Sequence, residues 1–228
     1  MSKYLILLFD ADDTLFDFQK AEERALKQVF YLYQISYTKS KIDLYKEINH
    51  KLWKDFELGN IEKDVIQKTR FTKLFEELHI EKDGLKANND YLEFLANGSD
   101  LIDGAYELCE ALAKQYKLYI VTNGISKVQH KRFEHCKIKP FITDIFVSED
   151  SGYQKPQKEY FEYVFDKIGN VEKDKVLLIG DSLSSDIMGG NQIGVTTCWF
   201  NQNKFENKSD AISDYEIHKL EELFNIIK

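Results

Sequence analysis

Proline and cysteine are scarce in this 228-residue chain, at two and three residues. So little proline excludes a proline-rich linker, and no low-complexity tract or internal repeat breaks the sequence. Cys109, Cys136 and Cys198 are odd in number, far apart and without a CxxC pair, which excludes a disulfide framework and fits reduced thiols. Long hydrophobic runs are also missing. The first apolar run, preceded by Lys3, is stopped by Asp10 and is too short for a signal core or a membrane span. A cytoplasmic protein with no membrane partner is expected. Excess positive charge is absent too: 31 Lys and Arg face 39 Asp and Glu, a net charge of -8. That balance argues against a nucleic-acid polymer as partner and leaves room for a small anionic ligand held locally.

What is present is a folded protein's composition, 43% hydrophobic and 31% charged. Short apolar runs recur at Leu5 to Phe9, Leu118 to Val121, Ile145 to Val147, Val176 to Ile179 and Thr196 to Phe200, with helix-period stretches between them. This alternation predicts an α/β fold with a doubly wound, Rossmann-like parallel sheet. Runs apolar on both alternating faces, such as "KVLLIGD", suit a central parallel strand. The first two strands are separated by a long helical stretch, so residues 17–97 read as an inserted helical domain and residues 1–16 and 98–228 as the α/β domain. Gly98 is the expected return hinge. The C-terminal "DYEIHKLEELFNIIK" reads as an edge strand and a closing helix.

Function in such sheets collects at the carboxyl ends of the strands. The first run ends in Asp10, Asp12, Asp13 and Asp17, a cluster whose self-repulsion asks for a proton or a metal ion. Asp10 and Asp12, two apart where the strand turns, suit an attacking carboxylate and a proton carrier. Asp13 and Asp17 are expected to cap or to face solvent. Thr122 and Asn123 in "YIVTNG" offer a hydroxyl and amides to an anion. In "SGYQKPQKEYF", Pro156 reads as the first helical residue, placing Lys155 beside a positive helix end. In "LLIGDSLSSDIMGG", Gly180 is expected to permit a tight strand exit, and Asp181 and Asp186 are hard oxygen donors of the kind magnesium prefers. His130, His135 and Cys136 are not spaced to share a zinc ion, and a solvated helix surface is expected there.

Each motif alone is weak, but the order DxDxT, Thr, Lys, GDxxxxD resembles the phosphatase branch of the haloacid dehalogenase superfamily. The helical insertion stands where that superfamily's first cap type stands. The strings "FDADDTLFDF", "LWKDFELGNIEKD", "SEDSGYQKP" and "GDSLSSDIMGGNQIGVTTCWFN" further resemble its cytosolic pyrimidine 5′-nucleotidases. The resemblance implies that Asp10 becomes an aspartyl phosphate, and that Asp12 is general acid and then base. Thr122, Asn123 and Lys155 would hold the phosphoryl group. Asp10, the main-chain carbonyl of Asp12, Asp181 and Asp186 would surround magnesium. It also implies nucleoside monophosphates as substrates, with dUMP, dTMP and UMP first. Sugar phosphates or other small metabolites are the enzymatic alternative, and a phosphoaspartate receiver or a binding protein the non-enzymatic ones. Gln157 departs from many relatives, which carry an acid there.

The cap would supply the nucleoside pocket, with Trp53, Phe56, Arg70 and Phe71 as candidates for stacking on a base or reading its edge. The same helical spacing suits packing of the cap helices on one another, and both expectations stand.

Overall fold

Among the described residues of the computed structural model, 3–169 and 171–227, six strands form one parallel sheet. They are β1 (Ile6–Phe9), β2 (Lys117–Thr122), β3 (Asp144–Val147), β4 (Val176–Gly180), β5 (Thr196–Phe200) and β6 (Tyr215–Ile217). Their order is β3-β2-β1-β4-β5-β6, so the strand sequence reverses between β1 and β4, where an open α/β sheet forms its crevice. Register puts Phe9 beside both Ile120 and Ile179, which brings the carboxyl ends of β1, β2 and β4 level.

Side chains that alternate along a strand divide between two cores. Leu7, Phe9, Leu118, Ile120, Leu177 and Ile179 enter one; Ile6, Leu8, Tyr119, Val121, Val176 and Leu178 enter the other. Both faces are therefore apolar, as a doubly covered parallel sheet requires. Burial of each such side chain stabilises by about 1.5–3 kcal/mol, against the entropy of ordering it.

The chain divides into two compact units, Met1–Phe18 with Ser99–Lys228, and Gln19–Gly98. The second is helical and holds α1 (Phe18–Leu32, from its second residue), α2 (Lys39–Glu57), α3 (Lys63–Glu77) and α4 (Gly84–Leu95). Helix α3 packs against both α2 and α4. Their inner stripes recur at threes and fours: Tyr45, Asn49, Leu52, Phe56 on α2 and Ile66, Arg70, Phe71, Leu74 on α3. Gly98 ends this unit for reasons of space, since a Cβ there would meet Ala21 Cβ at 2.6 Å.

The sheet unit adds α5 (Ala105–Leu112), α6 (Ser126–His135), α7 (Ser148–Ser151), α8 (Lys158–Ile168) and α9 (Met188–Ile193). Helix α5 covers the first core through Leu108, Cys109 and Leu112, and α8 covers the second through Tyr160, Phe161 and Val164. The expected closing helix is a 3₁₀ helix, Leu220–Asn225. Among the described residues no helix is long and apolar enough to cross a membrane.

Candidate active site

Three strand ends of the sheet unit, those of β1, β2 and β4, converge on one acidic cluster. Asp10 follows β1, with its N–H donating to the Ile179 carbonyl at 2.8 Å. Asp181 follows β4, and Asp186 lies in a π-helical turn, Leu183–Ile187, that runs into α9. Such turns occur often at functional sites. One carboxylate oxygen from each of Asp10, Asp181 and Asp186 lies within 4.8 Å of the others.

Lys155 is the cation among them. Its Nζ donates to Asp10 Oδ1, to Asp186 Oδ1 at 2.7 Å and to the Val121 carbonyl at 2.8 Å, so every ammonium proton has an acceptor. Burial opposes charge on the acids and pushes the Asp10 carboxyl up to about 8, with Asp186 adding to the rise and Lys155 resisting it. Asp181 is raised well above the usual carboxylate range, again by burial first and then by Asp10 and Asp186. Lys155 rises as well: burial would lower it, but Asp10 and Asp186 outweigh that and keep it charged. Three hard oxygen donors with surplus negative charge fit a hard divalent cation, whose binding would relieve the same repulsion that raises these acids.

The sequence placed these residues near one another for partly wrong local reasons. Pro156 is not the first helical residue: α8 starts at Lys158, with Gln157 preceding it, and the Lys155-Pro156 peptide is cis. Lys155 is instead held from β2. Asn123 Nδ2 donates to the Lys155 carbonyl and Lys155 N–H donates back to Asn123 Oδ1, both at 2.8 Å. The Asn123 side-chain amide is thereby committed to the lysine main chain, which leaves the expectation of a main-chain amide for an anion untouched. Thr122 is buried at the same strand end, its Oγ1 accepting from Gly124 N–H at 3.0 Å. Gly180 is glycine because a Cβ would stand 2.2 Å from Asp186 Oδ2, not because the exit needs an unusual φ.

The Asp12 carboxylate stands outside the three-acid group and is held by α6. Arg132 Nη1 donates to Oδ1, and Gln129 Nε2 donates to Oδ2 at 2.5 Å. Sequence reasoning passed over both partners, drawn to the neighbouring histidines. Their signal is a polar pair three apart that the helix turns inward with Val128. Cys136, expected on a solvated surface, is buried, whereas His130 is partly exposed and bonds Asp150 Oδ2 at 2.8 Å. Asp13 takes a left-handed φ of 58° and donates its N–H to the Phe16 carbonyl, closing the turn after Asp12.

The four candidates for reading a base belong to the helical unit. Phe56 packs with Leu52 and Ile66, and half-buried Trp53 meets it edge-on at 5.7 Å. Phe71 is fully buried, 5.1 Å from Tyr45 and 5.4 Å from Tyr91 between ring centroids. Arg70 donates to Asn88 Oδ1 at 2.7 Å, and its guanidinium lies 4.5 Å from the Tyr91 ring centre. Helical spacing turns Phe56, Arg70 and Phe71 into the unit's interior, where the packing expectation puts them.

Residues 7–200 match the family Haloacid dehalogenase-like hydrolase. The chain belongs to that family. This hydrolase is 47% identical to the HAD-hydrolase YfnB of Bacillus subtilis (strain 168), over 100% of its own length and 97% of that protein's. A magnesium-bound crystal structure of YfnB superposes with a TM-score of 0.94 at 47% identity, covering 98% of each chain. The hydrolase is also 37% identical to the pyrimidine 5′-nucleotidase PynA of Streptococcus pneumoniae, over 98% of this chain and 95% of PynA. With the pyrimidine 5′-nucleotidase YjjG of Escherichia coli it shares 31% identity over 97% and 96%.

Proposed function

We propose that this hydrolase is a magnesium-dependent phosphatase of nucleoside 5′-monophosphates, with dUMP, dTMP and UMP preferred, working through an aspartyl phosphate on Asp10. The observation that carries the reading is the Asp10 carboxylate at the β1 end, bonded to buried Lys155 and within 4.8 Å of Asp181 and Asp186 oxygens. Full-length similarity to two pyrimidine 5′-nucleotidases supports the substrate class.

Asp10 attacks phosphorus through one carboxylate oxygen, and the ester P–O bond breaks as the nucleoside oxygen takes a proton from Asp12. Water then gives a proton back to Asp12 and attacks phosphorus, releasing phosphate and freeing Asp10. Lys155 offsets the charge of the two anions that must meet, and Thr122 with its neighbouring amides offers donors to the phosphoryl oxygens. Magnesium, held by Asp10, Asp181, Asp186 and the Asp12 carbonyl, would supply electrostatic stabilisation of the phosphoryl charge.

The test is phosphate release from a panel of nucleoside monophosphates and sugar phosphates with magnesium, using Asp10→Asn as control. Preference for dUMP, dTMP or UMP, abolished in Asp10→Asn while the fold persists, is the expected result. Preference for sugar phosphates would overturn the substrate class, and normal turnover by Asp10→Asn would overturn the nucleophile.

A further inference from the structure

Gln129 and Arg132 are 2% and 1% exposed, far deeper than residues of their polarity lie without a partner. Their shared partner is Asp12. One donor reaches each carboxylate oxygen, Arg132 Nη1 to Oδ1 and Gln129 Nε2 to Oδ2, so the two bonds together fix the rotation of the carboxylate as neither would alone. The Arg132 guanidinium also lies 4.9 Å from the Phe16 ring centre. Phe16 accepts the Asp13 N–H and forms a bridge with Asp12, so the clamp grips the turn as well as the side chain.

A second observation, from the other side of Gln129, points the same way. A Cβ at Gly124 would fall 2.1 Å from Gln129 Nε2, and the φ of Gly124 is not left-handed. The glycine of "TNG" therefore makes room for the amide that holds Asp12.

We propose that Gln129 and Arg132 are positioning residues for Asp12, holding it in the one rotamer from which it gives a proton to the leaving oxygen and later takes one from water. The inference rests on the phosphatase reading. An error of position near 1 Å costs about 10²-fold in rate, so a two-point clamp on the proton carrier has a measurable effect.

The experiment compares kcat/KM, with magnesium, for a nucleoside monophosphate and for dinitrophenyl phosphate, whose leaving group departs without a proton. Asp12→Asn sets the pattern of a lost acid. Gln129→Met and Arg132→Met are expected to reproduce it, losing about 10²-fold on the nucleotide and less than about threefold on the aryl ester, in kcat more than in KM. Arg132→Lys, which keeps a donor and the charge, should recover part of the loss. Should Arg132→Met fail to fold, Gln129→Met and Gly124→Ala, which displaces the Gln129 amide, carry the same comparison. Equal losses on both esters, or no loss on either, would overturn the positioning role. If the wild-type protein releases phosphate from neither ester, the phosphatase reading falls and the inference with it. If it does, and Asp12→Asn shows the selective loss, only the clamp is in question.

Discussion

Alanine at position 180 isolates the reason for a glycine at the end of β4. The new Cβ would stand 2.2 Å from Asp186 Oδ2 and 2.6 Å from Asp186 Cβ, and since the φ of Gly180 is not left-handed, the collision acts without backbone strain. Relief requires Asp186 to retreat by roughly 1 Å, as ordinary packing in a close-packed interior demands. That retreat would break its bonds from Lys155 Nζ at 2.7 Å and Ser182 N–H at 3.1 Å. Overpacking costs about 1–3 kcal/mol and a lost charge-assisted bond about 1.5–3, so Gly180→Ala should destabilise the sheet unit by about 2.5–6 kcal/mol. Urea unfolding measures this, with fluorescence read at Trp199 after Trp53→Phe, because these two tryptophans lie in separate units. The deciding comparison is a double-mutant cycle with Asp186→Gly. With nothing left to strike, the added methyl should cost less than about 0.5 kcal/mol. Additive losses would show that the glycine serves something other than the space for Asp186.

Asp10, raised from 3.8 to about 8, keeps a proton in the folded state through a range where the unfolded chain has lost it. Stability without divalent ions should therefore fall as pH rises through that window, and magnesium should raise the melting temperature more near about pH 8 than about pH 5. Equal shifts at both would refute the assignment. Burial pushes Cys109 and Cys198 up to about 12 and raises Cys136 as well. A thiolate-specific reagent at about pH 8 should label none of the three in the native protein and all of them in denaturant; rapid native labelling would contradict the burial.

The parallel sheet was legible because its strands are apolar on both faces, a pattern set by near neighbours in sequence. Asp10, Lys155, Asp181 and Asp186 were legible because strand ends and their polar residues recur in order. Partners across the chain left no such mark. The bonds from Gln129 and Arg132 to Asp12 span 117 and 120 residues, and their inward spacing on α6 does not say which distant residue they meet. In the helical unit, Glu22, Asn49, Arg70 and Asn88 sit on stripes that a period of threes and fours predicts as apolar. They enter the interior because they answer one another: Asn49 Nδ2 donates to Glu22 Oε1 at 3.2 Å, and Arg70 Nε to Asn88 Oδ1 at 2.7 Å. Pattern alone marks a buried face, whereas mutual satisfaction decides which polar residues join it.

The chain leaves and re-enters the sheet unit through a small clasp. Asp17 N–H donates to the Asp100 carbonyl at 3.0 Å, and Phe16 pairs with Leu101 in an antiparallel bridge. The scaffold that carries Asp10 thus holds both ends of residues 19–98 by its own bonds. Loop-closure cost grows only logarithmically, about 0.6 kcal/mol for each doubling of length, so to the scaffold the size of what hangs from the clasp hardly matters. A lineage built on this frame can exchange the whole hanging segment, or lengthen and shorten it, while Asp10 and Lys155 remain as they are.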